Sequence, residues 1–200
     1  MTPFIYLASQ SPRRSQLLAQ LGVEHRLLLP DASEDSEALE VVLPGEAPLD
    51  YVQRVTALKL QAALARLKRL HWPVAPVLCA DTTVALGRTI LGKPQDAAHA
   101  SEMLKQLAGR SHRVMTAIAL GDGTRVVQAC SVSRVRFAPV SDAQRAAYVA
   151  SQEPMGKAGA YAVQGLAAAF IERIEGSYSG IMGLPLFETA QALREMKVLE

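Results

Sequence analysis

Hydrophobic and polar residues alternate along this 200-residue chain in short segments that predict strands and helices in turn. An apolar run over residues 4–8 predicts a first strand, and leucines at helical spacing follow over residues 14–21. A second strand is predicted over residues 25–29. Apolar residues then recur at helical spacing from residue 50 to residue 70, which predicts the longest helix of the chain.

The second half of the chain predicts a larger share of strands. Residues 76–80 are wholly apolar and indicate a strand covered on both faces, which we expect to end at Asp81. The later elements are a hairpin over 84–91, a helix over 96–107, strands over 112–120 and 124–137, a helix over 141–151, a strand over 169–174 and a helix over 187–196. The apolar phase slips between Val132 and Val135, which indicates a bulge or twist.

These elements predict an α/β fold with a mixed sheet, because helices separate most strands and hairpins join others. The length fits one large domain or two closely joined lobes, and we treat residues 1–200 as a single domain. Half of the residues are hydrophobic, so a sizeable core is expected without disulfide bonds or structural metals.

Charge and composition exclude several classes of protein. The net charge is only +2, which gives no strong field for a nucleic-acid backbone or an anionic membrane. No run of about 18 apolar residues could span a bilayer, and the first three residues lead directly into a strand, so we expect a cytoplasmic protein. Cys79 and Cys130 lack the C-x-x-C spacing and are interpreted as reduced core thiols.

The junction between the first strand and the first helix has the features of an anion site. Ser11 can cap the helix and Pro12 suits its first position, where free amides carry partial positive charge. Arg13 and Arg14 add two guanidinium groups that match phosphate or carboxylate oxygens. The alternative is an ordinary capped helix with solvated arginines.

Three further charged residues are candidates for the same site. Asp81 follows the apolar strand, and ligands of open α/β sheets collect beyond strand ends, so it could be a metal ligand or a general base. It could instead cap a turn. Lys93 on a short rigid loop can meet a phosphate, and Lys59 on the long helix can either extend along the surface or reach into the site.

Two loops complete the candidate site. Residues 156–165 include several small residues that allow close backbone approach, together with Tyr161 and Gln164, and the amide of Gln164 could pair with the carbonyl and imino groups of a pyrimidine. The alternative is a tight turn in which Gln164 bonds to the backbone. Residues 30–37 are acidic and without hydrophobic period, which predicts a loop that includes a site carboxylate or a merely solvated surface.

Taken together, these segments resemble the Maf family of nucleoside triphosphate pyrophosphatases along essentially the whole chain. The resemblance rests on short motifs in family order: ASQSPRR at 8–14, ADT at 80–82, GKP at 92–94, SHRV at 111–114, KAGAYAVQG at 157–165, GSY at 176–178 and GLPL at 183–186. It implies a two-lobed α/β fold with a deep cleft, related to the inosine triphosphate pyrophosphatases. It also implies hydrolysis between the α and β phosphates.

The resemblance further implies roles for individual residues. The dTTP and UTP group of the family is similar to this chain at three base-selecting positions, here Arg13, Thr82 and Gln164. Asp81 is implied as proton acceptor, with Mg²⁺ or Mn²⁺ held by Asp81 and Glu34. Asp35 or Glu37 could replace Glu34, because the pattern diverges there. The implied catalytic residues are Asp81, Lys93 and Glu34, and the implied substrate-binding residues are Ser9, Arg13, Arg14, Lys59, Thr82 and Gln164.

The expected partner is therefore a nucleoside triphosphate, and the resemblance adds an expectation of a homodimer. A competing hypothesis is a nucleotide-binding regulator of cell division that does not turn its ligand over. An acid facing several basic groups is more than binding alone requires. RNA binding is disfavoured by the low net charge and by an aromatic content of only 5%.

Overall fold

The structure, a computed structural model, describes residues 4–31, 34 and 38–200. Among these residues, seven strands form one sheet in the order β2-β1-β3-β5-β6-β7, with β4 paired to β3. The strands are β1 (Phe4–Leu7), β2 (Glu24–Leu27), β3 (Val77–Leu86), β4 (Thr89–Leu91), β5 (Ser111–Gly121), β6 (Val126–Phe137) and β7 (Ile171–Glu175). Strand β1 is parallel to β2 and β3, whereas the other pairs are antiparallel. The predicted mixed α/β sheet is confirmed.

Six α-helices flank this sheet in the described part of the chain. They are α1 (Pro12–Gln20), α2 (Pro48–Arg69), α3 (Ala97–Leu107), α4 (Asp142–Ala150), α5 (Tyr178–Met182) and α6 (Leu186–Glu195). Helix α5 is absent from the sequence prediction, because five residues that include a glycine carry no helical period. No helix among the described residues is long and apolar enough to span a membrane.

The two faces of the amino-terminal half of the sheet pack against different helices. Alternate residues of a strand point to opposite faces, so Ile5 and Leu7 contact α1 and α6, whereas Tyr6 contacts α2. A further core cluster around Phe137 and Tyr161 joins α3, α4 and the loop after α4 into a second lobe. The core is thus divided into two lobes that share β3, as the resemblance implies.

Strand β3 is longer than the sequence indicates. We expect it to end at Asp81, but Asp81 lies in its middle and pairs with Ala117 of β5. Pairing with β1 stops at Leu78, and pairing with β4 begins only at Val84. One edge of β3 is therefore free of strand neighbours between these two points, and the functional groups lie beside the strand instead of beyond its end.

The bulge predicted in β6 is also misplaced. The pairing of β5 with β6 is regular from one end to the other. The apolar phase slips because Ser131 and Ser133 occupy buried positions while Val132 is exposed. The register shift lies further along, at Arg136 and Phe137, where β6 pairs with β7.

The glycine-rich loop over residues 156–165 packs closely against β3. A Cβ atom at Gly159 would lie 2.8–3.0 Å from the side chain of Val84, and Gly159 has a positive φ of 68°. Its amide donates a hydrogen bond to the carbonyl of Gly92. Glycine is therefore required here both for the backbone conformation and for the space beside β3.

We predict that Gly159→Ala lowers the free energy of unfolding by about 2–4 kcal/mol, because it adds a collision with Val84 to the strain of a positive φ. Gly156→Ala is the matched control, since Gly156 has a similar φ of 71° and open space around it. It should lose only about 1 kcal/mol. Equal losses in urea titrations of both variants would show that the contact with β3 contributes nothing.

Candidate active site

A cleft of about 1170 Å³ opens between the two lobes along the free edge of β3. This volume exceeds the roughly 300–1,000 Å³ typical of small-molecule pockets, so an extended ligand fits. All nine residues of the predicted site line it: Ser9, Arg13, Arg14, Glu34, Lys59, Asp81, Thr82, Lys93 and Gln164. Residues far apart in the sequence thus meet in one place, although their chemical roles stay predictions.

The loop between β1 and α1 is held by Ser9, and not by Ser11 as predicted. Ser11 occupies the N-cap position of α1, but its side chain makes no capping hydrogen bond. The hydroxyl of Ser9 instead accepts hydrogen bonds from the amide of Ser11 and from Arg14 Nη1, both at 3.2 Å. The hydroxyl that organises this turn therefore lies two residues earlier, where it also faces the cleft.

The two neighbouring arginines have different surroundings. Arg14 donates to the carbonyl of Gly183 at 2.8 Å and to Thr82 Oγ1 at 3.3 Å, besides its bond to Ser9. Burial lowers the pKa of Arg14 below its ordinary value, against the opposing charge of Asp81. Arg13 lines the cleft and makes no hydrogen bond within the described part of the chain. Arg13 is thus the guanidinium more available to a ligand.

A chain of alternating charges crosses the cleft. Lys59 Nζ donates to Asp81 Oδ1 at 2.6 Å and to Glu40 Oε1 at 2.7 Å. Lys93 Nζ donates to the other oxygen of Glu40 at 3.0 Å. Helix α2 supplies Lys59, β3 supplies Asp81, and the loop after β4 supplies Lys93. The contacts therefore run from Asp81 to Lys59, from Lys59 to Glu40 and from Glu40 to Lys93.

The pKa values of this chain reflect both burial and charge. Burial favours the neutral forms, but the two ammonium groups outweigh it at Glu40 and hold the pKa of that carboxyl below its usual range. At Lys59 burial is likewise outweighed by Asp81 and Glu40, so the pKa of the ammonium is raised. Glu40 is therefore held ionised and Lys59 protonated at neutral pH.

Glu34 lies apart from this chain of charges. Arg66 of α2 forms a bidentate salt bridge with its carboxylate, at 2.7 and 2.5 Å, and Arg69 donates a further hydrogen bond at 2.8 Å. Arg66 also donates to the carbonyl of Leu28. The structure thus places Glu34 on the cleft wall but engages both of its oxygens. The two alternatives, Asp35 and Glu37, lie outside the described residues.

Several charged residues of the cleft were missed at the sequence level, among them Glu40, Arg66 and Lys157. Glu40 follows the acidic loop and reaches Lys59 across 19 residues of chain, so no local pattern indicates it. A single turn over Ala38–Glu40 and a hydrogen bond from Tyr51 to the carbonyl of Glu40 hold it in place. Lys157 donates to the carbonyl of Glu153, and burial together with Arg13 lowers its pKa.

The candidate base-selecting residues Thr82 and Gln164 differ in the hydrogen bonds that they make within the protein. Thr82 Oγ1 contacts Thr116 Oγ1 at 2.9 Å besides Arg14, and Thr116 in turn donates to the carbonyl of Gly180. Gln164 is exposed in the cleft wall and forms no hydrogen bond to any described residue. Its amide is thus not used by the backbone of its own turn, which leaves donor and acceptor available to a ligand.

The carboxylates of Asp81 and Glu40 form a donor set suited to a hard divalent cation. Mg²⁺ is usually held by one or two carboxylates together with substrate phosphates and waters. Both carboxylates already contact one shared cation, the ammonium of Lys59. No cluster of three or more His, Cys, Asp or Glu occurs among the described residues. The residues present therefore fit a metal shared with a ligand better than a fully protein-bound one.

We predict a pH-dependent stabilisation by Glu34. The hydrogen bond from Arg66 is the largest cause that lowers the pKa of Glu34 from 4.5 to about 2, so its contribution is complete above about pH 4.5 and is lost as the pH falls toward 2. Glu34→Gln should therefore be less stable than wild type at pH 7, with a difference that shrinks at pH 3. Urea titrations across this range measure it, and a difference independent of pH would contradict the assignment.

Comparison with known proteins places the chain in a family. The model of the family described as Maf-like protein matches residues 4–196. The chain is 68% identical over 194 residues to a dTTP/UTP pyrophosphatase of Albidiferax ferrireducens, covering 97% of each chain. It is 63% identical to one of Polaromonas sp., covering 96% of this chain and 95% of the relative. We conclude that this chain belongs to the Maf family.

Proposed function

We propose that this protein hydrolyses dTTP and UTP to the nucleoside monophosphate and pyrophosphate. The observation that carries the proposal is the contact of Asp81 with Lys59 in a cleft that is also lined by Arg13 and Gln164. A carboxylate, several cations and a free amide are the groups needed to activate water, hold phosphates and contact a base. The names of relatives at 63–68% identity support the same substrates.

The phosphates are bound by cations that come from both lobes. Arg13 supplies a guanidinium without a protein acceptor among the described residues, and Lys59 and Lys93 supply ammonium groups that now neutralise Glu40 and Asp81. Preorganised cations of this kind stabilise the charge that develops on transferring phosphoryl groups. Arg14, which donates to three protein oxygens, contributes by holding the Ser9 turn and Thr82 in place.

Asp81 acts as the general base. Its carboxylate takes a proton from a water molecule whose oxygen attacks the α-phosphorus, and the bond from that phosphorus to the bridging oxygen breaks, so pyrophosphate leaves. Lys59 orients the carboxylate through its 2.6 Å bond to Oδ1. The other oxygen is contacted by Thr83 Oγ1 at 3.5 Å, which leaves it the better acceptor for the proton.

Glu40, and not Glu34, serves as the second acid of the site. Glu40 contacts both Lys59, which also contacts Asp81, and Lys93, whereas the oxygens of Glu34 are paired with Arg66 and Arg69. A divalent cation, Mg²⁺ or Mn²⁺, would be held by Asp81, Glu40 and the phosphates, and would supply neutralisation of their charge. The donors for it come from β3 and from the turn before α2.

Gln164 reads the base. Uracil and thymine present a carbonyl acceptor beside an imino donor, and a free side-chain amide pairs with both at once. No described residue competes for the amide of Gln164. A binding protein without turnover, the competing hypothesis, does not need a carboxylate among its phosphate-binding cations, and an assay of product release distinguishes the two.

We predict that the purified protein with Mg²⁺ releases equal amounts of pyrophosphate and monophosphate from UTP and dTTP, and less from CTP, ATP and GTP. Both products are quantified for each of these nucleotides. Asp81→Asn is the control, and it should lower turnover by about 10²–10⁴-fold, the usual contribution of a general base. Release of orthophosphate instead of pyrophosphate, or full turnover by the variant, would refute the mechanism.

We predict different outcomes for the two candidate acids. Glu40→Gln removes a carboxylate that contacts both lysines, so kcat/KM for UTP should fall by more than about tenfold, which corresponds to roughly 1.4 kcal/mol. Glu34→Gln is the matched control and should stay within about threefold of wild type at pH 7, where folding is checked by circular dichroism. A larger loss of kcat/KM in Glu34→Gln than in Glu40→Gln would identify Glu34 as the second acid instead.

A further inference from the structure

The turn that carries Gln164 is anchored by a carboxylate from outside the cleft. Glu153 Oε2 accepts a hydrogen bond from the amide of Leu166 at 2.9 Å, and Oε1 accepts one from Tyr148 Oη at 2.9 Å. The amide of Ala167 lies 3.5 Å from Oε1. Glu153 thus fixes the backbone two and three residues after Gln164, although 11 residues separate the two side chains along the chain.

Gly165 leaves the space that this carboxylate occupies. A Cβ atom at Gly165 would lie 2.3 Å from Glu153 Oε1 and 2.4 Å from Oε2, which no pair of atoms tolerates. Its φ of −106° is one that any residue adopts, so the backbone does not require glycine here. The three atoms nearest to such a Cβ all belong to the carboxylate of Glu153.

The orientation of the Gln164 side chain depends on its backbone, because this side chain makes no hydrogen bond to a described residue. Before it, Ala162 and Val163 are buried in the core. After it, Glu153 binds the amides of Leu166 and Ala167. The turn is thus fixed from both sides, and on the later side Glu153 adds to the backbone hydrogen bonds from Gly165 to Ala162 and from Ala168 to Gly165.

We propose that Glu153 is a positioning residue for base selection, which holds Gln164 in the orientation that reads a pyrimidine while contacting no substrate itself. This inference rests on the proposed function. Since the water-activating groups lie on β3 and α2, and the phosphate-binding cations on α1, α2 and the loop after β4, loosening the turn affects base recognition and leaves the chemical step in place.

The first test compares kcat and KM of Glu153→Ala for UTP and CTP with those of wild type. We expect KM for UTP to rise about tenfold, as for loss of one hydrogen bond that leaves a partner unpaired, and kcat to change by less than about threefold. The preference for UTP over CTP should fall by a similar factor. Glu153→Gln keeps one acceptor oxygen and should restore most of the preference, whereas Glu172→Ala, an exposed carboxylate on β7, should change nothing.

The second test shows whether Glu153 acts through Gln164. In a Gln164→Ala background, Glu153→Ala should cause no further loss of the preference for UTP, because the group that it positions is absent. Gly165→Ala displaces the carboxylate and should reproduce the effect of Glu153→Ala, and the two changes combined should be no worse than Glu153→Ala alone. If Glu153→Ala does not fold, Gly165→Ala decides the outcome.

Additive losses in these double variants, or a lower stability with an unchanged ratio of UTP to CTP, would overturn the inference and leave Glu153 a structural residue. Wild-type protein that fails to release pyrophosphate from UTP would refute the proposed function instead. A wild type that hydrolyses UTP, together with variants of unchanged base preference, refutes this inference alone.

Discussion

The site depends on one constraint of strand pairing. Strand β3 pairs with β5 along nearly its whole length, but its other edge pairs with β1 only to Leu78 and with β4 only from Val84. The gap between these partners gives the cleft its floor. Because Asp81 pairs with Ala117 of β5 in the middle of β3, it is presented by regular strand backbone, and both lobes contribute side chains around it.

Lys59 and Lys93 and the two carboxylates that they contact balance one another's charge before any ligand binds. Lys59 would be costly to bury alone, and its contacts with Asp81 and Glu40 offset that cost. The same contacts neutralise two carboxylates that would otherwise repel a triphosphate. When a nucleotide binds, its phosphates must therefore replace carboxylates in part of this internal pairing. The replacement is simplest at Lys93, whose side chain is more exposed than that of Lys59.

Local sequence signals predict local structure, and the long-range pairing of the chain decides the rest. The capping box at Ser141 spans four residues and is confirmed in detail. Whether β3 ends at Asp81 is decided by β5, more than 30 residues later, so the apolar pattern alone misplaces that end. Glu40 was missed for the same reason, because only the packing of α2 brings it to Lys59. Most motifs of the family resemblance contribute residues to the cleft, and the motif at 80–82 does so from the middle of β3.

Base recognition and chemistry are built on different parts of the fold. The groups that contact Asp81 lie on regular strand and helix, whereas Gln164 lies on a turn held against β3 by Gly159 and against the following backbone by Glu153. A change in that turn can alter the preferred base without moving the carboxylate that activates water. It must, however, preserve the match between Glu153 and Gly165, because the one occupies the space that the other leaves open. Substitution of Glu153 removes the anchor of the turn and a side chain at position 165 displaces it, so the pair constrains how base preference can change.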